Sequence, residues 1–112
     1  MTNDELNTML YRKMESEQNQ YRDWLLTQPP EEILHHAYEY AVREDILMAM
    51  ENLSLSNRQC RALLKSSSPL ADIHKEYEKR ESDYMNDLTD TIECRANAVI
   101  RQDFLKSRQE ER

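Results

Sequence analysis

The chain has 112 residues, carries 33% charged and 38% hydrophobic side chains, and contains no glycine. Without glycine it cannot build the phosphate-cradling loops of nucleotide-binding folds or the tight hairpins of most small β folds, and its length suits a single domain. A net charge of −7 disfavours a nucleic-acid backbone as a direct partner. Residues 1–94 carry net −9 and residues 95–112 net +2, so an acidic body is followed by a weakly basic tail. The composition predicts an all-α helical bundle of three long helices and one short helix, forming one domain over 1–112.

The first helix is predicted over about 3–28. Thr2-Asn3-Asp4-Glu5 has the form of a capping box. Leu6, Leu10, Met14, Tyr21, Trp24 and Leu25 follow a 3.6-residue period that Glu17 interrupts, at a position where an apolar residue would fit. Pro29 and Pro30 end the segment, because a proline disfavours α geometry in the residue before it. Pro30 then suits the first turn of a second helix, 30–52, with Glu31 and Glu32 at the positive end of its dipole. Its apolar residues, from Ile33 to Leu53, occupy more than one stripe, which predicts a central helix contacted on two sides.

Ser54 or Ser56 caps a short third helix, 55–65, with Leu55, Cys60, Ala62, Leu63 and Leu64 inward. Ser68-Pro69 starts a fourth. Leu70, Ile73, Tyr77, Tyr84, Leu88, Ile92, Ala96 and Val99 keep helical spacing with no later glycine or proline, so this helix is expected to run continuously over about 69–106, with Arg80 on its apolar line. At roughly 57 Å it outruns a first helix of roughly 37 Å. Ala96, Val99, Ile100 and Phe104 are therefore assigned to an interface, with a second copy of the chain or with a partner protein.

Chemical motifs are sparse. Glu32-Ile33-Leu34-His35 has the Glu-x-x-His spacing of carboxylate-bridged di-iron bundles, but the residue three before His74 is Ala71, so the second half is missing and no metal or cofactor is assigned. Cys60 and Cys94 read as reduced thiols in a cytoplasmic protein, and the longest apolar run is too short to span a bilayer. No catalytic set is present. Asp83, Asp87 and Asp90 follow four-then-three spacing along one helix face, with Glu76 further back. Such a row is either a solvated face or a line of carboxylates that meets a basic groove on another protein. Tyr38 and Tyr40 point roughly 200° apart, so one of them faces outward, and Tyr40 is assigned with the acidic row to partner binding.

Tyr21-Arg22-Asp23-Trp24-Leu25-Leu26, Pro29-Pro30-Glu31-Glu32-Ile33-Leu34, Ala37-Tyr38-Glu39-Tyr40, Arg43-Glu44-Asp45-Ile46, Ser68-Pro69-Leu70-Ala71-Asp72 and Glu81-Ser82-Asp83-Tyr84-Met85 carry a resemblance. Over residues 5–97 the chain resembles a family of short proteins of unknown function from phage, plasmid and conjugative elements of gut Gram-positive bacteria. The resemblance implies no activity and no site residue. It implies genomic company in which small acidic proteins disarm host defences, CRISPR nucleases included, by binding them. The expectation is a non-enzymatic protein-binding module that inhibits a nucleic-acid-handling nuclease stoichiometrically. The alternative is a homodimeric assembly or regulatory protein of the same element.

Overall fold

The computed structural model describes residues 1–110, which form five helices: α1 (Asn3–Leu25), α2 (Pro30–Glu51), α3 (Asn57–Leu64), α4 (Pro69–Glu78) and α5 (Glu81–Glu110). They fall into two units, Met1–Tyr77 and a second that begins at Glu78. The turns contain no residue with positive φ among those described, which suits a chain without glycine.

The start signals are read locally. Thr2 accepts the Glu5 N–H at 3.2 Å, forming its half of the predicted box. Pro30 opens α2. Ser56 rather than Ser54 caps α3, through a complete box in which Gln59 accepts the Ser56 N–H at 2.9 Å and Ser56 accepts the Gln59 N–H at 3.2 Å. α1 stops at Leu25, short of the predicted 28, and the Thr27 hydroxyl donates back to the Trp24 carbonyl at 2.6 Å.

The core of the first unit consists of Leu6, Leu10, Met14, Leu47, Met50, Cys60 and Leu70, with Tyr11, Ile46, Leu55, Leu63, Leu64 and Ile73 packed against it. Its central helix is α1, which packs against both α2 and α3, so the expectation of a central α2 is corrected. The breadth of apolar residues on α2 misled it: Leu34, Tyr38 and Met48 remain exposed, while Val42, Leu47 and Met50 are buried.

Polar side chains of α1 hold the later segments in place. Asn7 donates to the Leu55 carbonyl at 2.9 Å and accepts the Leu55 N–H at 3.0 Å, fixing the loop before α3. Lys13 donates to the carbonyls of Leu64 at 3.0 Å and Ser66 at 2.6 Å, where a cation complements the C-terminus of α3. Glu17 accepts the N–H groups of Leu70 and Ala71, each at 2.9 Å, and so caps the N-terminus of α4. The break in the apolar stripe at Glu17 is thus an inter-helix cap.

The second unit is a helix without a core of its own. The predicted continuous helix over 69–106 is divided by a turn at Lys79–Arg80, where Asp83 N–H donates to the Arg80 carbonyl at 3.3 Å. From Glu78 to Asp83 every residue is polar or charged, so no apolar contact can pay the helix for crossing this stretch. Arg80 interrupts the apolar line at the break itself. Every side chain described from Asp83 to Gln109 is exposed except the half-buried Ala98.

Candidate functional site

The outer surface of α5 has two faces. Asp83, Asp87 and Asp90 are all exposed on it. At 100° per residue they lie about 120–180° around the helix from Ala96. The side around Ala96 carries Ile92, Ile100 and Phe104, which are 69, 66 and 60% exposed, together with the less exposed Leu88 and Val99. The four residues assigned to an interface are therefore on the surface; the three aspartates face away from Ala96 and Val99, whereas Asp90 lies only about 40° around the helix from Phe104. Glu76 belongs to α4 and lies in the first unit, on the other side of the turn at Lys79–Arg80 from the three aspartates. Tyr40 is half-buried, and its carbonyl accepts from the Gln18 amide at 3.2 Å. Tyr38 is the more exposed of the two tyrosines.

Glu32 and His35 do not pair along the predicted spacing. Glu32 faces His36 instead, at 3.8 Å, and the His36 ring lies 5.4 Å from Trp24 and 6.4 Å from Tyr21, both edge-on. The aromatic cluster closes the end of α1 against the first turns of α2.

The first unit also holds a charged network that the sequence pattern did not reveal. Arg43, 8% exposed, reaches Glu39 at 2.7 Å and Glu17 at 3.9 Å, and its guanidinium stacks 4.2 Å above the Tyr21 ring. His74 Nδ1 lies 3.9 Å from the other oxygen of Glu39 and is buried. The network ties α1, α2 and α4 together through Glu17, Arg43 with Glu39, and His74 respectively. Glu39 and His74 offer two ligand types to a cation, but Arg43 already neutralises the Glu39 carboxylate. A structural latch is the chemistry this arrangement performs best.

Two tyrosines sense the surrounding charge. Burial, followed by the carboxylates of Glu15 and Glu51, pushes the Tyr11 hydroxyl above its ordinary 10.0. Burial, followed by Glu39, raises Tyr21 against the opposing pull of Arg43. Both remain protonated in the folded chain at a pH where unfolded tyrosine ionises, so stability is full below pH 10 and falls as the pH rises beyond it. Tyrosinate absorbance of the folded protein should show a late-ionising phase that disappears in the Tyr11→Phe/Tyr21→Phe variant. A titration curve unchanged by that variant would contradict the assignment.

No curated protein and no solved structure matches the chain. The family described as "Protein of unknown function (DUF3848)" matches residues 6–100. The chain belongs to the DUF3848 family. The DUF3848 match takes in the three α1 clamps, the Arg43 network, the aspartates of α5 and the centre of its apolar side, and it ends before Phe104. No helix among the described residues is long and apolar enough to cross a membrane.

Proposed function

We propose that this DUF3848 protein is a non-enzymatic, cytoplasmic protein-binding module of a mobile genetic element. Its task in this reading is stoichiometric inhibition of a host defence nuclease, in the manner of an anti-CRISPR protein. The observation that carries it is the exposed row of Asp83, Asp87 and Asp90 on a helix that has no core of its own, within a body of net −9 over residues 1–94. Like charges at this spacing repel each other by a few tenths of a kcal/mol per pair, so the row adds nothing to helix stability. Aimed at a groove that handles nucleic acid, the same row presents negative charge where a phosphate backbone would lie, and complementarity raises both association rate and specificity.

The test is retention of a nuclease from a bacterial lysate expressing defence systems, compared between the wild-type chain and the Asp83→Asn/Asp87→Asn/Asp90→Asn variant over a salt series. Near-stoichiometric retention by the wild type, lost with rising salt and reduced about 10-fold or more in the variant, is expected. Equal retention by both chains at every salt concentration would remove the aspartate row from the interface.

The exposure of Ile100 and Phe104 favours a second reading, a homodimeric assembly or regulatory protein of the same element. Truncation after Ala96 should then leave a monomer. An oligomer that survives the truncation would refute the role of residues 97–112.

A further inference from the structure

Two adjoining hollows lie between α1 and α2. The smaller, of about 310 Å³, is walled by Glu15 on α1 and by Glu44 and Glu51 on α2, with Leu47 and Met48 as its apolar part. The larger, of about 530 Å³, shares Glu15 and Glu51 with the first and adds Asp4 beside Met50 and Leu53. Tyr11 is common to both, and its hydroxyl donates to Glu51 Oε1 at 3.5 Å. Four carboxylates therefore share these walls with two cations, Arg12 and Arg22, and Arg22 is paired with Asp23 at 3.7 Å.

Exposed carboxylates need no ligand to explain them. What sets this cleft apart is Gln18, which forms part of the wall of the smaller hollow although it is only 2% exposed. Its Nε2 donates to the Tyr40 carbonyl at 3.2 Å and to Glu44 Oε1 at 3.1 Å, while its Oε1 has no hydrogen-bond partner. A buried acceptor left without a donor is uncommon in a folded protein. The missing partner is a donor, and an ammonium group paired with Glu44 would lie next to the Gln18 amide.

The walls define the chemistry of a guest. Four carboxylates against two arginines leave a surplus of negative charge that a single lysine side chain does not balance. The three carboxylates of the smaller hollow form no cluster tight enough for a metal ion among the described residues. Leucine and methionine alongside the charges suit a hydrocarbon stem between cationic groups. We propose that the cleft between α1 and α2 binds a linear aliphatic polyamine, with ammonium groups on Glu15, Glu44 and Glu51, methylenes along Leu47 and Met48, and one N–H on Gln18 Oε1. Burial, followed by Glu15 and Glu51, raises the Tyr11 hydroxyl. A bound polycation opposes those carboxylates, so Tyr11 reports occupancy.

The probe is spermidine, a linear triamine, titrated calorimetrically into the full chain at low and moderate salt. One saturable site is expected, weakened by salt, with Kd raised about 10-fold or more in the Glu44→Gln/Glu51→Gln variant and unchanged in the Asp83→Asn/Asp87→Asn/Asp90→Asn variant. Both glutamates are exposed, and glutamine at 44 keeps an acceptor for the Gln18 amide, so helical content by circular dichroism should be retained. In the wild-type chain, spermidine should also move the Tyr11 phase of the tyrosinate titration to lower pH. Equal weakening in the two variants, or magnesium binding as tightly as spermidine, would reduce the effect to general attraction by an acidic chain and overturn the site. Absence of saturable binding at low salt, or a Tyr11 phase that stays in place, would overturn it as well.

Discussion

Arg43→Ala is expected to destabilise the first unit by about 3–5 kcal/mol, the usual cost of removing one partner from a buried charge network. The substitution leaves Glu39, now 2.7 Å from the guanidinium, and the mostly buried Glu17 carboxylate facing each other without a cation. It also opens the space where the guanidinium stacks on Tyr21. At roughly 0.05–0.15 kcal/mol per residue, the net stability of a unit of this size is of the same order as the loss. Urea unfolding followed by circular dichroism should show a midpoint shifted far to lower denaturant, or a chain already unfolded in buffer. A shift of less than about 1 kcal/mol would mean that the network contributes no more than an exposed ion pair.

Glu17→Leu is the second large effect, and it separates the periodicity of α1 from its structure. Periodicity alone favours an apolar residue here, because Glu17 interrupts the stripe from Leu6 to Leu25. The structure predicts the reverse. Leucine would remove the acceptor for the Leu70 and Ala71 N–H groups and one of the carboxylates facing Arg43; the two hydrogen bonds alone give a loss of about 3–6 kcal/mol at 1.5–3 kcal/mol for each hydrogen bond to a charged group. Glu17→Gln retains one acceptor oxygen and should recover part of that loss. Hydrogen exchange should find the amides of α4 less protected in the leucine variant while those around Leu10 change less. If Glu17→Leu stabilised the chain, the cap on α4 would be incidental.

These two residues also show where sequence reading ends. Helix starts were legible because their signals are local: Thr2, Pro30, Ser56 and Pro69 act within four residues of themselves, and the absence of glycine limits every turn to ordinary backbone regions. The family resemblance was legible in the same way, from short stretches of residues. The clamps made by Asn7, Lys13 and Glu17 join residues about 50 positions apart, and a polar residue on an apolar stripe does not announce what it caps. Arg43 was hidden for the same reason, since a charge on a helix defaults to solvent. The turn at Lys79–Arg80 lacks the glycine or proline that usually marks a break; its signals were Arg80 on the apolar line and the polar run from Glu78 to Asp83 around it. The acidic row of Asp83, Asp87 and Asp90 on α5 was legible because it requires only helical spacing.

The resulting division of labour is physical. In the first unit, the polar side chains of α1 hold the other segments in fixed places around a small core. In the second unit, a long helix exposes both an apolar ridge and a row of carboxylates. A single helix in water is marginal even when its residues favour helix, so a face of this kind gains most of its order from whatever covers it.

The most direct test of that claim is hydrogen exchange on the full chain over a range of protein concentration. The account predicts that the amides of α5 exchange quickly in dilute solution while those around Leu6, Leu10 and Met14 stay protected, and that α5 alone gains protection as concentration rises. Protection of α5 equal to that of α1 at the lowest concentration, and unchanged by concentration, would show that the helix needs no partner and would contradict the account.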